Sequence, residues 1–237
     1  IAAAITPEIL KALTDSGCMG FPVGLETGNP EMLRKIRKPA TIETFMQFAN
    51  FSKEFQKIFY VVNFILGLPE EIFGQMIDSF SLAYKAELDW NSFFTYQQLK
   101  NTEAYLVYGG LDDCSDEEEL RKYGTTMNFN PVRAEHIDKN NKNNSLVIGY
   151  DIFDLDKSVR PGRDQRKEIW FTFNYVVNFL HNPALSTNST DRLKNQIRWL
   201  QSLGGAYAKN PAIDCIKYYL CRRLNELSNN DKIDIDN

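Results

Sequence analysis

The chain is poor in the residues that hold metals or staple small folds. Its 237 residues include four cysteines and two histidines. Cys18, Cys114, Cys215 and Cys221 are too few and too scattered for a disulfide framework, which fits a reducing, cytoplasmic setting. No two of them form a Cys-x-x-Cys pair. His136 and His181 add no partner pattern, so no zinc or cluster spacing exists. Long hydrophobic runs are also lacking. The longest, Tyr60–Leu68, is broken by Asn63 and has the length of a buried strand, which argues against a membrane helix. Charge of one sign is lacking too. There are 27 Lys+Arg against 31 Asp+Glu, a net charge of -4, which gives no reason to expect a nucleic-acid surface. Finally, the sequence opens Ile1-Ala2-Ala3-Ala4, without an initiator Met. That stretch is too short and uncharged for a signal peptide, and the chain reads as beginning inside a larger protein.

What is present is ordinary for a globular protein: 43% hydrophobic and 24% charged residues, enough chain for one to two domains. The first half alternates helix and strand. Thr6 caps and Pro7 opens a helix over about 7–16, which Gly17 stops. A strand is expected over about 20–26. Thr27-Gly28-Asn29-Pro30 then turns into a short helix near 31–36. A helix over about 41–55 carries Phe45, Phe48, Phe51 and Phe55. The strand at about 58–66 is almost continuously apolar, as parallel strands buried on both faces are. A helix over about 71–87 and a strand at about 89–95 follow. This alternation predicts an α/β fold with about three parallel βα units, as in a partial (β/α) barrel or a doubly wound sheet.

The second half reads differently. Leu111–Glu119 carries six acidic residues, and Ser115-Asp116-Glu117-Glu118 matches a capping box. Residues 125–163 are polar and irregular. Three amphipathic patterns close the chain, at about 164–181, 189–203 and 211–227. The expected organisation is a barrel-like portion over 1–110, an acidic helix and linker over 111–163, and a helical region over 164–237.

Ligands of parallel βα folds bind at the carboxyl ends of the strands. The first strand ends in Gly24-Leu25-Glu26-Thr27-Gly28, with Glu26 placed to offer a carboxylate. The second ends in Gly67-Leu68-Pro69-Glu70-Glu71, where Gly67 permits close approach of backbone to a ligand. Glu70 and Glu71 suit the N-terminus of the next helix, where negative charge is stabilising. The third ends in Thr95-Tyr96-Gln97-Gln98. Cys18 reads as a buried small side chain.

These strand ends resemble the later part of the radical S-adenosylmethionine (radical SAM) domain, over about residues 5–108. Ser16-Gly17-Cys18 followed by Gly24-Leu25-Glu26-Thr27-Gly28 resembles its fourth barrel strand. Asn63-Phe64-Ile65-Leu66-Gly67-Leu68-Pro69-Glu70 resembles the fifth-strand pattern Gly-x-Ile-x-Gly-x-x-Glu, with Asn63 in place of the first Gly. The Gly67-Leu68-Pro69-x-Glu71 version is frequent in members that carry an N-terminal cobalamin-binding domain. Phe94–Thr102 resembles the sixth strand and the segment after it, where only Thr102 matches clearly.

The resemblance implies a partial barrel that cradles S-adenosylmethionine (SAM) beside a [4Fe-4S] cluster, with cobalamin as a further candidate cofactor. Reductive cleavage of SAM would start radical chemistry on a substrate, with electrons from a reductant protein. By position, Glu26 would bond the ribose hydroxyls, Ile65 would pack on the adenine, Gly67 would let backbone approach it, and Thr95, Tyr96 and Gln97 would offer main-chain bonds to its edge. The family's Cys-x3-Cys-x2-Cys loop has no counterpart here, so the cluster ligands and the first three strands are expected upstream of Ile1. Two other readings stand beside this one. The chain could be a stand-alone half barrel whose helices bind protein, or an unrelated βα enzyme using Glu26 and Glu71 as an acid–base pair.

Overall fold

A computed structural model describes residues 4–96, 102–108, 155–206 and 211–233. The acidic segment 111–119, most of the irregular stretch 125–163 and Gln97 lie outside them. In the first half, local signals set the boundaries. Helix α1 (Pro7–Asp15) starts at Thr6, whose hydroxyl accepts from the Ile9 N–H, and ends where Gly17 turns left-handed at φ +82°. The Gly17 and Cys18 amides then bond the Thr14 and Leu13 carbonyls, closing the last turn as glycine-stopped helices do. Strand β1 (Gly20–Glu26) follows. Asn29 caps helix α2 (Pro30–Lys35) by accepting from the Glu31 and Met32 amides. Helix α3 (Ile42–Ser52), strand β2 (Phe59–Leu66), helix α4 (Phe73–Ala86), strand β3 (Trp90–Thr95) and the short helix α5 (Glu103–Tyr108) complete this half.

The three strands form one parallel sheet in the order β1-β2-β3. The expected parallel βα arrangement is present, as an open sheet. Alternation along β2 sorts its side chains to two faces. Tyr60, Val62, Phe64 and Leu66 enter a core with Val23, Leu25, Phe45, Phe48, Met76 and Phe93. Phe59 and Val61 face the other way, into a second core with Trp90. With both faces covered over that half of its length, β2 must be nearly all apolar.

The second core is supplied by the C-terminal half. Helix α6 (Arg163–Tyr175) runs into a π turn (Val176–Leu180) and a short 3-10 turn (Pro183–Leu185), followed by α7 (Thr190–Ala206) and α8 (Pro211–Ile233). Trp199 of α7 packs on Phe59 and Trp90, with ring centroids 5.3 and 5.8 Å apart. Leu193, Ile197, Ile213 and Leu220 fill the space behind it. Ile169, Phe173 and Val177 join the first core instead, so the C-terminal half contributes to the core on both sides of the sheet. Among the described residues, no helix is long and apolar enough to cross a membrane.

The two sheet edges are finished differently. On β3, Asn174 and Asn178 of one helical stripe, with Asn182 just after it, replace a fourth strand. Asn174 accepts from the Phe93 N–H at 3.0 Å and donates to the Phe93 carbonyl at 3.0 Å. Asn178 does the same to Asn91 at 2.8 and 2.7 Å, and Asn182 donates to the Asp89 carbonyl at 3.1 Å. The match is metrical. Four helical residues rise about 6.0 Å, close to the roughly 6.6 Å spanned by two strand residues. On β1, no strand pairs with the outer edge among the described residues. The Met19 carbonyl accepts from Phe59 N–H, which puts the odd residues of β1 toward β2. Pro22 therefore turns outward, where its missing N–H breaks no ladder bond.

Candidate ligand site at the carboxyl end of the sheet

Trp199 packs against the amino-terminal part of the sheet face to which Phe59 and Val61 belong. Toward the carboxyl ends, the register aligns Gly24, Asn63 and Ser92 in one row and Ile65 with Phe94 in the next. By alternation these residues share the face of Phe59 and Val61. Asn63 and Ile65 are only partly buried. Among the described residues the buried Asn63 Oδ1 has no hydrogen-bond partner. A buried acceptor left open is uncommon in a finished core, which makes this row the floor of a candidate site.

Glu26 stands over that floor. The β1–β2 register slips between Gly24 and Glu26, where Leu25 is the extra residue. At the end of this bulge Glu26 takes φ 77°, in the left-handed region that a non-glycine residue enters at a cost of about 1–2 kcal/mol. Its carboxylate folds back across Gly24. A Cβ at position 24 would lie 2.5 Å from Glu26 Oε1, so glycine there makes room for the carboxylate. Lys38 donates to Oε1 at 2.8 Å, and both side chains are 24% exposed. The turn after Glu26 is docked on α4. Gly28 N–H donates to Ser79 Oγ at 2.8 Å, and a Cβ on Gly28 would meet the α4 backbone at 2.6 Å. Thr27-Gly28-Asn29 thus anchors the turn that fixes where Glu26 sits.

The end of β2 is organised around Glu71. Its side chain is fully buried, and Oε2 accepts from the Gly67 and Leu68 amides at 2.6 and 3.1 Å. Among the described residues Oε1 has no hydrogen-bond partner. Burial pushes the Glu71 carboxyl up to about 7, although the two amides and the nearby Arg160 and Arg166 pull the other way. Glu71 therefore braces the turn before α4 from a buried position, where burial works against the charge expected at the helix N-terminus. Glu70 adopts φ 62° and pairs with Lys35 at 3.3 Å.

The segment just before α6 crosses this end of the sheet. The Val159 and Lys157 carbonyls accept from the Phe73 and Gly74 amides at 2.9 and 2.8 Å, capping α4 where its N-cap residue, Ile72, makes no side-chain cap bond. Arg160 reaches the Gly67 carbonyl at 3.5 Å. Arg166, 6% exposed, lies across Gly67, where a Cβ would stand 2.5 Å from its Cδ. Gly67 does permit a close approach, but a side chain of the C-terminal half makes it.

Of the site residues expected from sequence, Glu26 and Ile65 lie at the carboxyl end of the sheet, both beyond the Gly24–Asn63–Ser92 row. Gly67 is covered by Arg166. Tyr96 N–H donates to the Leu66 carbonyl at 2.7 Å, so that amide extends the β2–β3 ladder and is not offered to an adenine edge. Gln97 lies outside the described residues. Sequence reasoning did not single out Lys38, Arg166 or Ser92. Lys38 carried one available signal, the basic run Arg34-Lys35-Ile36-Arg37-Lys38 set against acidic strand ends.

Among the described residues no group of His, Cys, Asp and Glu could hold a metal ion. Cys18, Cys215 and Cys221 are free thiols. Compared with protein-family models and with curated proteins, the chain matches none.

Proposed function

We propose that this chain supplies the nucleoside-binding portion of a radical SAM barrel within a longer protein. One observation carries the reading. At the carboxyl end of a parallel sheet, a strained carboxylate stands over a glycine, beside a floor with an open acceptor. A carboxylate accepts two hydroxyls of a vicinal diol more strongly than a neutral group does, and Ile65 offers an apolar surface beside it. These residues fit the ribose and base of SAM. Glu26 binds the hydroxyls, Ile65 packs on the adenine, and Glu71 keeps the Gly67–Leu68 turn rigid behind it.

The residues present do not fit an iron–sulfur cluster, which thiolates must hold. No step of radical chemistry is therefore assigned to this chain. A cobalamin partner domain, a reductant protein and the substrate belong to the longer protein in this reading. Its test is the coding sequence upstream of Ile1 together with a product assay. The longer protein is expected to carry Cys-x3-Cys-x2-Cys and, once reconstituted with iron and sulfide and reduced, to form 5′-deoxyadenosine from SAM. An upstream frame without that triplet would overturn the proposal.

A second reading rests on Pro22. With no N–H at the middle of the outer β1 edge, and with β3 closed by asparagines, the three-stranded sheet has the marks of a finished unit. In that reading the chain is a stand-alone protein that acts through its helices. A stable monomer with no affinity for adenosine would favour it.

A further inference from the structure

The floor row and Glu26 leave one strong interaction unassigned, the Lys38 ammonium on Glu26 Oε1. Lys38 arrives there through a specific piece of backbone. Helix α2 ends with the Arg37 amide bonded to the Arg34 carbonyl at 3.1 Å and the Lys38 amide bonded to the Leu33 carbonyl at 2.9 Å. This is the paired closure that usually places glycine at the left-handed position. Here Arg37 occupies it, at φ 54°. Two non-glycine residues in the left-handed region, Glu26 and Arg37, thus frame a single ion pair. Strain of this kind persists where the surroundings over-determine it, and it clusters at binding sites.

We infer that Lys38 is a positioning residue for Glu26. By occupying Oε1 it holds the carboxylate across Gly24, so that Oε2 faces the ligand. Among the described residues Oε2 has no hydrogen-bond partner. A carboxylate has about four lone-pair directions, so Oε1 can keep its ammonium while the two oxygens receive a diol. Gly24 completes the arrangement, since the space its missing side chain leaves is what the folded-back carboxylate fills. This inference rests on the diol-binding role of Glu26 proposed above, and it adds Lys38 to the residues that decide preference for a ribose.

The test compares adenosine with 2′,3′-dideoxyadenosine on the 237-residue chain, by ligand-observed NMR titration. Wild-type protein is expected to prefer adenosine. Lys38→Met keeps the aliphatic stem and removes the charge. It should weaken adenosine about fivefold, the scale of losing one orienting charge-assisted contact, and leave dideoxyadenosine unchanged. Lys38→Arg should restore most of the preference. In a Glu26→Gln background, Lys38→Met should add no further loss, because nothing remains to be positioned. Circular dichroism of each variant separates loss of fold from loss of preference. If Lys38→Met binds adenosine as well as or better than wild type, or weakens both nucleosides equally, the positioning role fails and the Glu26 reading survives. If wild type does not distinguish the two nucleosides, the diol reading fails and the role of Lys38 fails with it.

Discussion

Asn178 holds Asn91 as a neighbouring strand would. Its side-chain oxygen takes the Asn91 N–H at 2.8 Å while its side-chain nitrogen gives to the Asn91 carbonyl at 2.7 Å. One amide thereby satisfies two buried main-chain groups, and the bond is blind to the identity of the residue it reads. Asn178→Ala should cost on the order of 2–6 kcal/mol, because both groups are left buried and open at about 1–3 kcal/mol each. Asn91→Ala should cost far less, since the ladder uses its backbone and the Asn91 Oδ1 has no partner to lose. Urea denaturation separates the two. The double change Asn174→Ala with Asn178→Ala should also bare the β3 edge and produce concentration-dependent association on size exclusion. Equal stabilities for the 91 and 178 variants would count against the ladder.

Glu71 makes stability depend on pH in a direction that can be worked out. Its ordinary value is 4.5, and burial raises it to about 7 in the folded chain. Folding therefore takes up a proton between those values. The contribution of the neutral form is complete below about pH 4.5 and is lost as pH rises through about 7. Its size is roughly 3 kcal/mol at most, from the free energy equivalent of such a displacement. Glu71→Gln keeps an acceptor for the Gly67 and Leu68 amides and cannot ionise. Its unfolding free energy should lack this fall between pH 5 and 7, and at pH 8 it should be at least as stable as wild type. Parallel pH curves for the two proteins would show that Glu71 stays ionised throughout.

The other end of the sheet depends on a buried pair. Arg192 on α7 meets Asp89 at 2.6 Å, with side chains 15% and 5% exposed, and also donates to the Glu87 carbonyl at 2.6 Å. Asp89 in turn accepts from the Tyr60 amide at 2.9 Å. Removing Arg192 strands a carboxylate in the interior, a change that costs about 3–5 kcal/mol in comparable buried pairs. Arg192→Met should show that loss by calorimetry. Adding Asp89→Asn should recover part of it, because the neutral amide removes the stranded charge. A double variant worse than the sum of the single ones would contradict the pairing.

Much of the first half was legible because its signals are local. Thr6, Gly17, Asn29 and Pro30 mark helix ends through bonds to residues a few positions away, and each boundary agrees within a few residues. The apolar run ending at Leu66 predicted a strand covered on both sides. The end closure was not legible. Asn174, Asn178 and Asn182 recur every fourth residue along and just beyond the apolar end of α6, a visible pattern, but its meaning depends on a strand some 80–90 residues earlier. The same holds for Glu71, read as a helix-end charge, because its buried setting beside Arg160 and Arg166 depends on residues some 90 positions later. Glu26 was legible as a strand-end carboxylate. The bulge, the left-handed backbone and Lys38 that aim it were not, since each arises from pairing or from the geometry of a helix end.

The two strand-end glycines separate packing from function. Gly67 has φ +82°, and a Cβ there would lie 2.5 Å from Arg166 Cδ and 2.9 Å from its Nε. Gly67→Ala should cost about 2–4 kcal/mol, combining left-handed strain of about 1 kcal/mol with a clash against a buried side chain. Trimming Arg166 to Ala in the same protein should relieve the clash component, giving a non-additive cycle. Gly24→Ala meets instead the free end of Glu26, at 2.5 Å from Oε1, and a flexible end can swing away. Its stability cost should stay below about 1 kcal/mol, since no left-handed strain or rigid neighbour is involved. The swing, however, takes Glu26 off Lys38. Gly24→Ala should therefore lose the preference for adenosine over dideoxyadenosine with little change in the urea midpoint, whereas Gly67→Ala should show the reverse balance. A Gly24→Ala protein that keeps the preference would mean that the folded-back carboxylate is not the conformation that meets the ligand.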